Sequence, residues 1–290
     1  MAADPDVQGV VAAQPHLLNG HIAIPLLKAG KSCFVEKPMA GSLEEAEEMV
    51  EAARIGKAQL MVGFMKRYDS GVNLAKRELD RFFEADVRGQ LCVINAYCFG
   101  GDWLRNVTGP ISTGEAVPPN PGFIPRNPAW MTDGQKETFN LYMNIFSHNL
   151  NLIRYLFPGR LETKAALLRE RKFIQSSLFE SEGTLVNLYG MSVNSGRWEE
   201  RTELYFNNGW VRVMTPSPMS MQEAATVEVY EGGEKHETRT LHAKPYWAFR
   251  AQADHFVECL KTGSVPRTSG EDSLEDMRLM EDVFRKAMWV

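Results

Sequence analysis

Cysteine is scarce, long apolar runs are missing and positive charge is not in excess; each shortage removes a class of protein. Only four cysteines occur in 290 residues (Cys33, Cys92, Cys98 and Cys259), with no CxxC pair. Neither a disulfide framework nor a clustered metal site is indicated, and buried thiols are the expected state. No stretch approaches the ~20 apolar residues of a membrane span. The residues after Met1, Ala-Ala-Asp-Pro-Asp, lack the basic and apolar segments of a secretory leader. A formal net charge of −5 and a pI near 5.8 argue against nucleic acid, since phosphate binding calls for a basic surface. A glycosylation sequon, Asn106-Val107-Thr108, has no export signal to accompany it. The expectation is a cytoplasmic protein with no metal, membrane or nucleic-acid partner.

What is present suffices for a packed core. The 44% hydrophobic and 24% charged content is ordinary for a globular chain, and the length allows two domains. Residues 8–13 form a short, mostly apolar run that breaks at Gln14-Pro15, as a buried parallel strand would at its C-terminal edge. Helical spacing follows over 16–28, and Ala29-Gly30 supplies the stop. The run Cys33-Phe34-Val35 then ends in Glu36-Lys37-Pro38, where the proline removes a ladder N–H. Ser42 and Glu45 have the spacing of a capping box. They open a helix whose apolar face is Leu43, Ala46, Met49, Val50 and Ala53. A strand over 59–64 completes β-α-β-α-β, the order of a parallel sheet with crossover helices. Glu36 and Lys37 therefore sit where a strand hands over to a helix, the edge at which open α/β sheets bind ligands.

Beyond Tyr68 the pattern changes. A charged helix spans 72–83, a strand 91–99 and a Pro- and Gly-rich loop 109–128, of a length often given to function. A helix covers 138–157. Strands are then predicted at 164–168, 183–193 and 201–215, the last folded at Asn207-Asn208-Gly209. A second hairpin lies over 226–241 around Gly232-Gly233. Helices at 246–261 and 271–287, joined by a linker over 264–269, close the chain. This reads as an α+β domain with one large open, mostly antiparallel sheet.

Glu36-Lys37-Pro38 after an apolar strand, with an acidic helix following, resembles the signature of the glucose–fructose oxidoreductase, inositol dehydrogenase and MocA (Gfo/Idh/MocA) family. Upstream, Ala3-Asp4-Pro5-Asp6-Val7 through Lys28-Ala29-Gly30 looks like that family's preceding strand–turn–helix. Downstream, Leu60-Met61-Val62-Gly63-Phe64-Met65-Lys66-Arg67-Tyr68 looks like the last strand of its nucleotide-binding domain. The resemblance implies a partial Rossmann-like parallel sheet over residues 1–66 and an α+β substrate and oligomerisation domain over 67–290. It implies NAD or NADP as cofactor and a sugar, inositol or related polyol as substrate. An open sheet covered by helices on one face also leads us to expect a homodimer or homotetramer. By analogy about three strands and two helices of the nucleotide domain precede this stretch. No GxGxxG turn occurs in the sequence, and the residues that choose between NAD and NADP belong to that earlier part. A chain that starts late in the fold is therefore expected, with residues 8–13 as an exposed apolar edge.

Lys37 is the first candidate, because an ammonium at this edge can stabilise charge that develops as hydride leaves carbon. The resemblance places Glu36, Pro38, Gln14, Pro15 and Asn19 beside the cofactor. The second candidate lies in Tyr142-Met143-Asn144-Ile145-Phe146-Ser147-His148. The family motif there is Asp-x-Gly-x-His, and His148 matches its histidine. An imidazole with an ordinary pKa of ~6.5 can exchange the hydroxyl proton, with Lys37 as electrostatic partner. Asn144 stands where the family has aspartate, Phe146 where it has glycine and Asn151 where a second aspartate is frequent. An amide cannot accept a proton but can bind a hydroxyl. Lys66, Arg67 and Tyr68 at the last strand's end are expected to face the cleft, with Arg67 and Tyr68 at the substrate; Trp103, Arg105 and Trp130 flank the long loop, and Trp103 is expected to offer an aromatic platform to a sugar ring. Two readings stay open: an NAD(P)-dependent dehydrogenase, and a non-catalytic sugar-binding or interaction protein derived from the family.

Overall fold

The computed structural model describes residues 1–84, 89–104, 114–116, 122–170, 174–193, 196–234 and 236–290. Arg105 and the 106–108 sequon lie outside the described residues. The first sheet holds three parallel strands, β1 (Gly9–Ala12), β2 (Ser32–Val35) and β3 (Leu60–Val62), with β2 in the middle. Every residue of β2 is buried, as an apolar run flanked on both sides should be. β1 pairs on one side only and leaves Val11 63% exposed.

Two helices join these strands, α1 (Asn19–Lys28) and α2 (Leu43–Gly56). Ser42 caps α2 by accepting from the Glu45 N–H at 3.2 Å. The Glu45 carboxylate turns instead to the Gly41 N–H at 2.8 Å, so the expected reciprocal box is shifted by one residue. A β-carbon at Gly56 would lie 1.8 Å from the Leu27 carbonyl oxygen, so α1 and α2 meet at a contact that glycine alone allows.

After a short 3-10 turn, Met65–Tyr68, and α3 (Ser70–Glu84) comes β4 (Leu91–Gly100). The long helix α4 (Asp133–Leu156) follows, then β5 (Glu162–Leu168), β6 (Ile174–Ser181), β7 (Thr184–Ser192), β8 (Glu199–Phe206), β9 (Gly209–Met214), β10 (Thr226–Glu231) and β11 (Glu237–His242). Helices α5 (Ala248–Thr262) and α6 (Gly270–Arg285) precede a last short strand, β12 (Ala287–Trp289). The second sheet has nine strands in the order β11-β10-β9-β8-β4-β7-β6-β5-β12. All neighbours are antiparallel except β4–β7 and β5–β12. Both expected hairpins form, β8–β9 closing at Phe206 and Gly209 and β10–β11 at Glu231 and Glu237.

The structure corrects the sequence reading at four places. β6 was not expected, because Gln175, Ser176 and Ser177 mask its alternation; its inward Phe179 is fully buried. α4 starts five residues earlier than its apolar periodicity suggests, at a capping box between Thr132 and Gln135. The last helix stops at Arg285, and residues 287–289 pair with β5. The 264–269 linker is part of the first sheet's surroundings: Val62 N–H donates to Thr268 O at 2.8 Å and Thr268 Oγ1 to Val62 O at 2.7 Å. Phe34 and Met61 pack with Phe256 of α5, so the chain's end covers the sheet formed by its beginning. No described helix is long and apolar enough to cross a membrane.

α4 packs against the large sheet at Phe146 and against Phe284 of α6 at Phe139, with Phe139, Met143, Phe146 and Leu150 all fully buried. Its approach is set at Gly190, which faces Cys98 across the parallel β4–β7 pair. A β-carbon there would fall 2.2 Å from Cys98 O and 3.0 Å from a ring carbon of Phe146. Gly190→Ala is therefore expected to push β4, β7 and α4 apart and to destabilise by ~1–3 kcal/mol. A denaturant midpoint unchanged from wild type would refute this account of the contact.

Candidate active site

The C-terminal edge of the small sheet is shaped by one buried side chain. Asn19, at the start of α1, donates through Nδ2 to Glu36 O and, at 2.8 Å, to Pro38 O. Its own Oδ1 accepts from Gln14 Nε2 at 2.5 Å. The turn carrying Lys37 is thus held at both flanking carbonyls from below. Gly63 N–H donates to Val35 O at 2.8 Å, and a β-carbon at Gly63 would meet the Glu36 carboxyl at 3.3 Å. With its flanks fixed, Lys37 extends toward α4, where Nζ donates to Asn144 O at 2.6 Å and Asn144 Oδ1 at 3.1 Å.

Asn144 and His148 lie one helical turn apart on the same face of α4. The Phe64 ring meets the His148 imidazole edge-on, 6.3 Å between centroids. Lys37, Asn144, His148 and Lys66 line a cavity of about 350 Å³, walled by aromatic residues that include Trp103, Trp198 and Phe249. That volume lies within the range of small-molecule sites, ~300–1,000 Å³. Lys66 comes from the 3-10 turn after β3 and is buried against Glu200 of β8. Glu200 also accepts from Asn149 Nδ2 at 2.6 Å and Trp198 Nε1 at 3.2 Å. One buried carboxylate thereby holds a cation, an amide and an indole in place around the cavity.

Burial raises the Glu36 carboxyl above its ordinary range, opposed by the charge of Lys37 and a hydrogen bond from its N–H. Burial also lowers Lys37 to about 8, with Lys66 pushing the same way and Glu36 opposing. His148 is pushed well below its ordinary value by burial first, then by Lys37 and Lys66. A neutral imidazole therefore faces the cavity at neutral pH.

Lys37, Asn144, His148, Glu36 and Trp103 converge on the cavity as the sequence suggests. Gln14 and the exposed Pro15 lie at the end of β1, beside the Glu36–Pro38 turn and outside the cavity lining. Arg67 and Tyr68 are the correction: neither reaches the cavity. Arg67, 4% exposed, donates to Asp272 at 2.7 Å and to Asn151 O through Nε and Nη2. The Tyr68 hydroxyl pairs with Thr268 Oγ1 at 3.0 Å. The 3-10 turn rotates these consecutive side chains apart, so Lys66 alone faces inward. Asn151 belongs to the same buried cluster, donating to Asp276 at 2.7 Å, while Arg154 bridges Asp272 and Asp276. Trp130 lies under the Arg285 guanidinium, 4.3 Å from its ring centroid, away from the site.

Glu200, Asn149 and Trp198 were not singled out from the sequence. A signal existed for Glu200: β8 alternates, and Glu200 takes the inward phase shared by Thr202, Leu204 and Phe206. A carboxylate on a buried strand face needs a partner, and the cationic partner here is 134 residues away. Among the described residues no cluster of three His, Cys, Asp or Glu side chains is arranged to hold a metal.

Comparison with known proteins bears on the fold. Residues 1–64 match the model of the oxidoreductase family with an NAD-binding Rossmann fold (Gfo/Idh/MocA). Inositol 2-dehydrogenase of Agrobacterium fabrum is 35% identical over 88 residues, 30% of this chain and 26% of that protein. The scyllo-inositol 2-dehydrogenase (NAD(+)) of Bacillus subtilis is 36% identical over 77 residues, 22% of its length. These matches thus span about a quarter of the relatives' length. Inositol 2-dehydrogenase of Rhizobium meliloti aligns over 97% of this chain and 78% of its own length at 21% identity. Among solved structures, the aldose-aldose oxidoreductase of Caulobacter crescentus superposes with a TM-score of 0.73 at 23% identity, covering 98% of this chain and 78% of that one. KijD10, a 3-ketoreductase from Actinomadura kijaniata solved with NADP and TDP-benzene, gives 0.74 at 18% identity over 100% and 81%. The likeness to these structures establishes the two-sheet fold.

Removing the carboxylate of Glu200 would strand the Lys66 ammonium in the interior. Breaking a buried pair from one side costs ~3–5 kcal/mol, so Glu200→Ala should lower stability by about that amount. Glu200→Gln, which keeps the shape and one acceptor, should cost less. Equal denaturation midpoints for the two variants would contradict this assignment of the carboxylate's charge.

Proposed function

We propose that this chain, whose residues 1–64 match the Gfo/Idh/MocA oxidoreductase family, moves hydride between a nicotinamide and a hydroxyl-bearing carbon of a sugar, inositol or related polyol. The observation that carries this reading is the convergence of Lys37 from the edge of the parallel sheet with Asn144 and His148 from α4 on one cavity. Cations and donors there are fixed before substrate arrives, which is what stabilising a developing alkoxide requires. The aromatic walls offer flat apolar surface to the C–H faces of a sugar ring. On this reading the division near residue 66 separates a cofactor-facing half from a substrate-facing half.

The residues present fit the nicotinamide end of NAD or NADP. Gln14, Pro15 and the Glu36–Lys37–Pro38 turn are neighbours at the C-terminal edge of parallel strands, the side on which such sheets bind dinucleotides. Asn19 shapes that rim from within. The glycine-rich turn that holds a pyrophosphate does not occur in this sequence, so these residues account for the nicotinamide end alone. When bound, the nicotinamide supplies hydride exchange; Lys37, Asn144 and His148 orient the reacting hydroxyl and handle its charge.

The helix-free face of the large sheet bears exposed apolar side chains, Leu167, Ile174, Leu185 and Tyr189 among them. A patch of this kind suits self-association, so we take a homodimer or homotetramer as the working state. Leu185→Lys combined with Tyr189→Glu should shift sedimentation toward the monomer; unchanged sedimentation would remove this face as the interface.

The function is tested by NAD(P)-linked oxidation over a panel of inositols, aldoses and related polyols. Lys37→Met removes the ammonium at similar length and should lower kcat/KM by ~10²–10³-fold. No nicotinamide reduction with any member of the panel would overturn the reading.

A further inference from the structure

Oxidation of a hydroxyl needs an atom to receive its proton; among the titratable side chains lining the cavity, Lys37 contacts Asn144 and His148 lies one helical turn from that residue. Lys37 directs Nζ hydrogens at two oxygens of a single residue, Asn144 O at 2.6 Å and Asn144 Oδ1 at 3.1 Å. A neutral amine keeps two N–H bonds and one lone pair. Asn144 therefore satisfies everything that an uncharged Lys37 still donates, and the remaining tetrahedral direction is left for the cavity that Lys37 lines. A carboxylate at position 144 would hold the ammonium by its charge; the amide offers the same acceptor geometry without that charge.

His148 is built for the opposite task. Its Nδ1 is buried and has no hydrogen-bond partner among the described residues. To act as a base, a neutral imidazole must bare Nε2 and carry its proton on Nδ1. That would bury an N–H without an acceptor, and the doubly protonated ring would do the same. The remaining tautomer carries its proton on Nε2 and can only donate to an oxygen in the cavity.

We propose that Lys37, and not His148, takes the proton of the reacting hydroxyl, while the Nε2–H of His148 donates to the same oxygen. This role rests on the functional reading above. The hydroxyl O–H bond breaks as a fourth bond forms at Lys37 Nζ, giving the ammonium. Oxidised NAD or NADP, where bound, would take the C–H electron pair as hydride so that the carbonyl forms; reduction would run the same exchange backwards. Among the described residues, the charged and titratable groups facing Lys37 are Glu36 at the end of β2, Lys66 of the 3-10 turn with its partner Glu200 of β8, and His148 of α4. Burial and Lys66 outweigh Glu36 and bring Lys37 to about 8. Both forms of Lys37 are then populated near neutral pH, whereas His148 is neutral throughout that range.

The sign follows from the role: a base must be uncharged, so oxidation should accelerate as pH rises through the Lys37 midpoint. Competitive acetylation with acetic anhydride, read by mass spectrometry across pH, measures that midpoint in the protein without turnover. It should lie near 8, and Asn144→Asp should raise it by roughly one to three pH units. The kcat/KM for oxidation should rise through the same midpoint and move with it in Asn144→Asp. His148→Gln, which keeps a donor but cannot exchange a proton, should retain the limb near 8. A Lys37 midpoint above about 10, the ordinary lysine range, or one unmoved by Asn144→Asp, overturns the role whatever the activity. So does a rising limb below ~6.5, the ordinary histidine value, that His148→Gln abolishes. Absence of all hydride transfer, by contrast, overturns the functional reading and takes this role with it.

Discussion

The contact between Lys37 and Asn144 ties the two sheets together at the point where chemistry can occur. One end of it is a strand-terminal turn clamped by Asn19; the other is a helix seated on the large sheet through Phe146 and Gly190. Neither end has freedom to spare, since the turn is held by buried amide bonds and the helix by a glycine contact. The cavity between them is defined by rigid elements on both sides, which is what a preorganised site requires.

A second constraint is electrostatic. Two lysines and a histidine face one largely apolar space, and such a group is tolerable only if its charges are compensated or suppressed. Lys66 is compensated by Glu200, itself braced by Asn149 and Trp198. His148 is suppressed, remaining neutral under burial and the two nearby cations. Lys37 stands between these solutions, with uncharged oxygens as its hydrogen-bond partners and Glu36 as its neighbouring carboxyl. The asparagine at 144 offers Lys37 an acceptor without a carboxylate's charge.

The return of the chain's end to its beginning gives this arrangement its frame. α5 buries Phe256 against Phe34 and Met61, and the 268–269 segment pairs along β3. Arg67 and Arg154, with Asp272, Asp276 and Asn151, lock the 3-10 turn between α4 and α6. Lys66 sits one residue before that lock, which explains why it is presented to the cavity while Arg67 and Tyr68 are consumed by the interior.

The sequence by itself determined the elements whose signals are local. Three parallel strands follow from short apolar runs broken at Gln14-Pro15 and Glu36-Lys37-Pro38, and two hairpins follow from Asn207-Asn208-Gly209 and Gly232-Gly233. Lys37 stood out at a strand end, and His148 through the resemblance of its segment to the family's Asp-x-Gly-x-His motif. Tertiary structure alone decided the rest. β6 and β12 acquire strand character from their neighbours rather than from their own polar or three-residue sequences. Arg67 and Tyr68 share a turn with Lys66, and only packing sorts which of them points inward. Glu200 lies on a strand whose alternation is readable, but its partners come from a turn and a helix 134 and 51 residues away. Local periodicity reports which face of an element is buried; which charges meet across that face depends on how the elements pack, and no spacing along the chain encodes it.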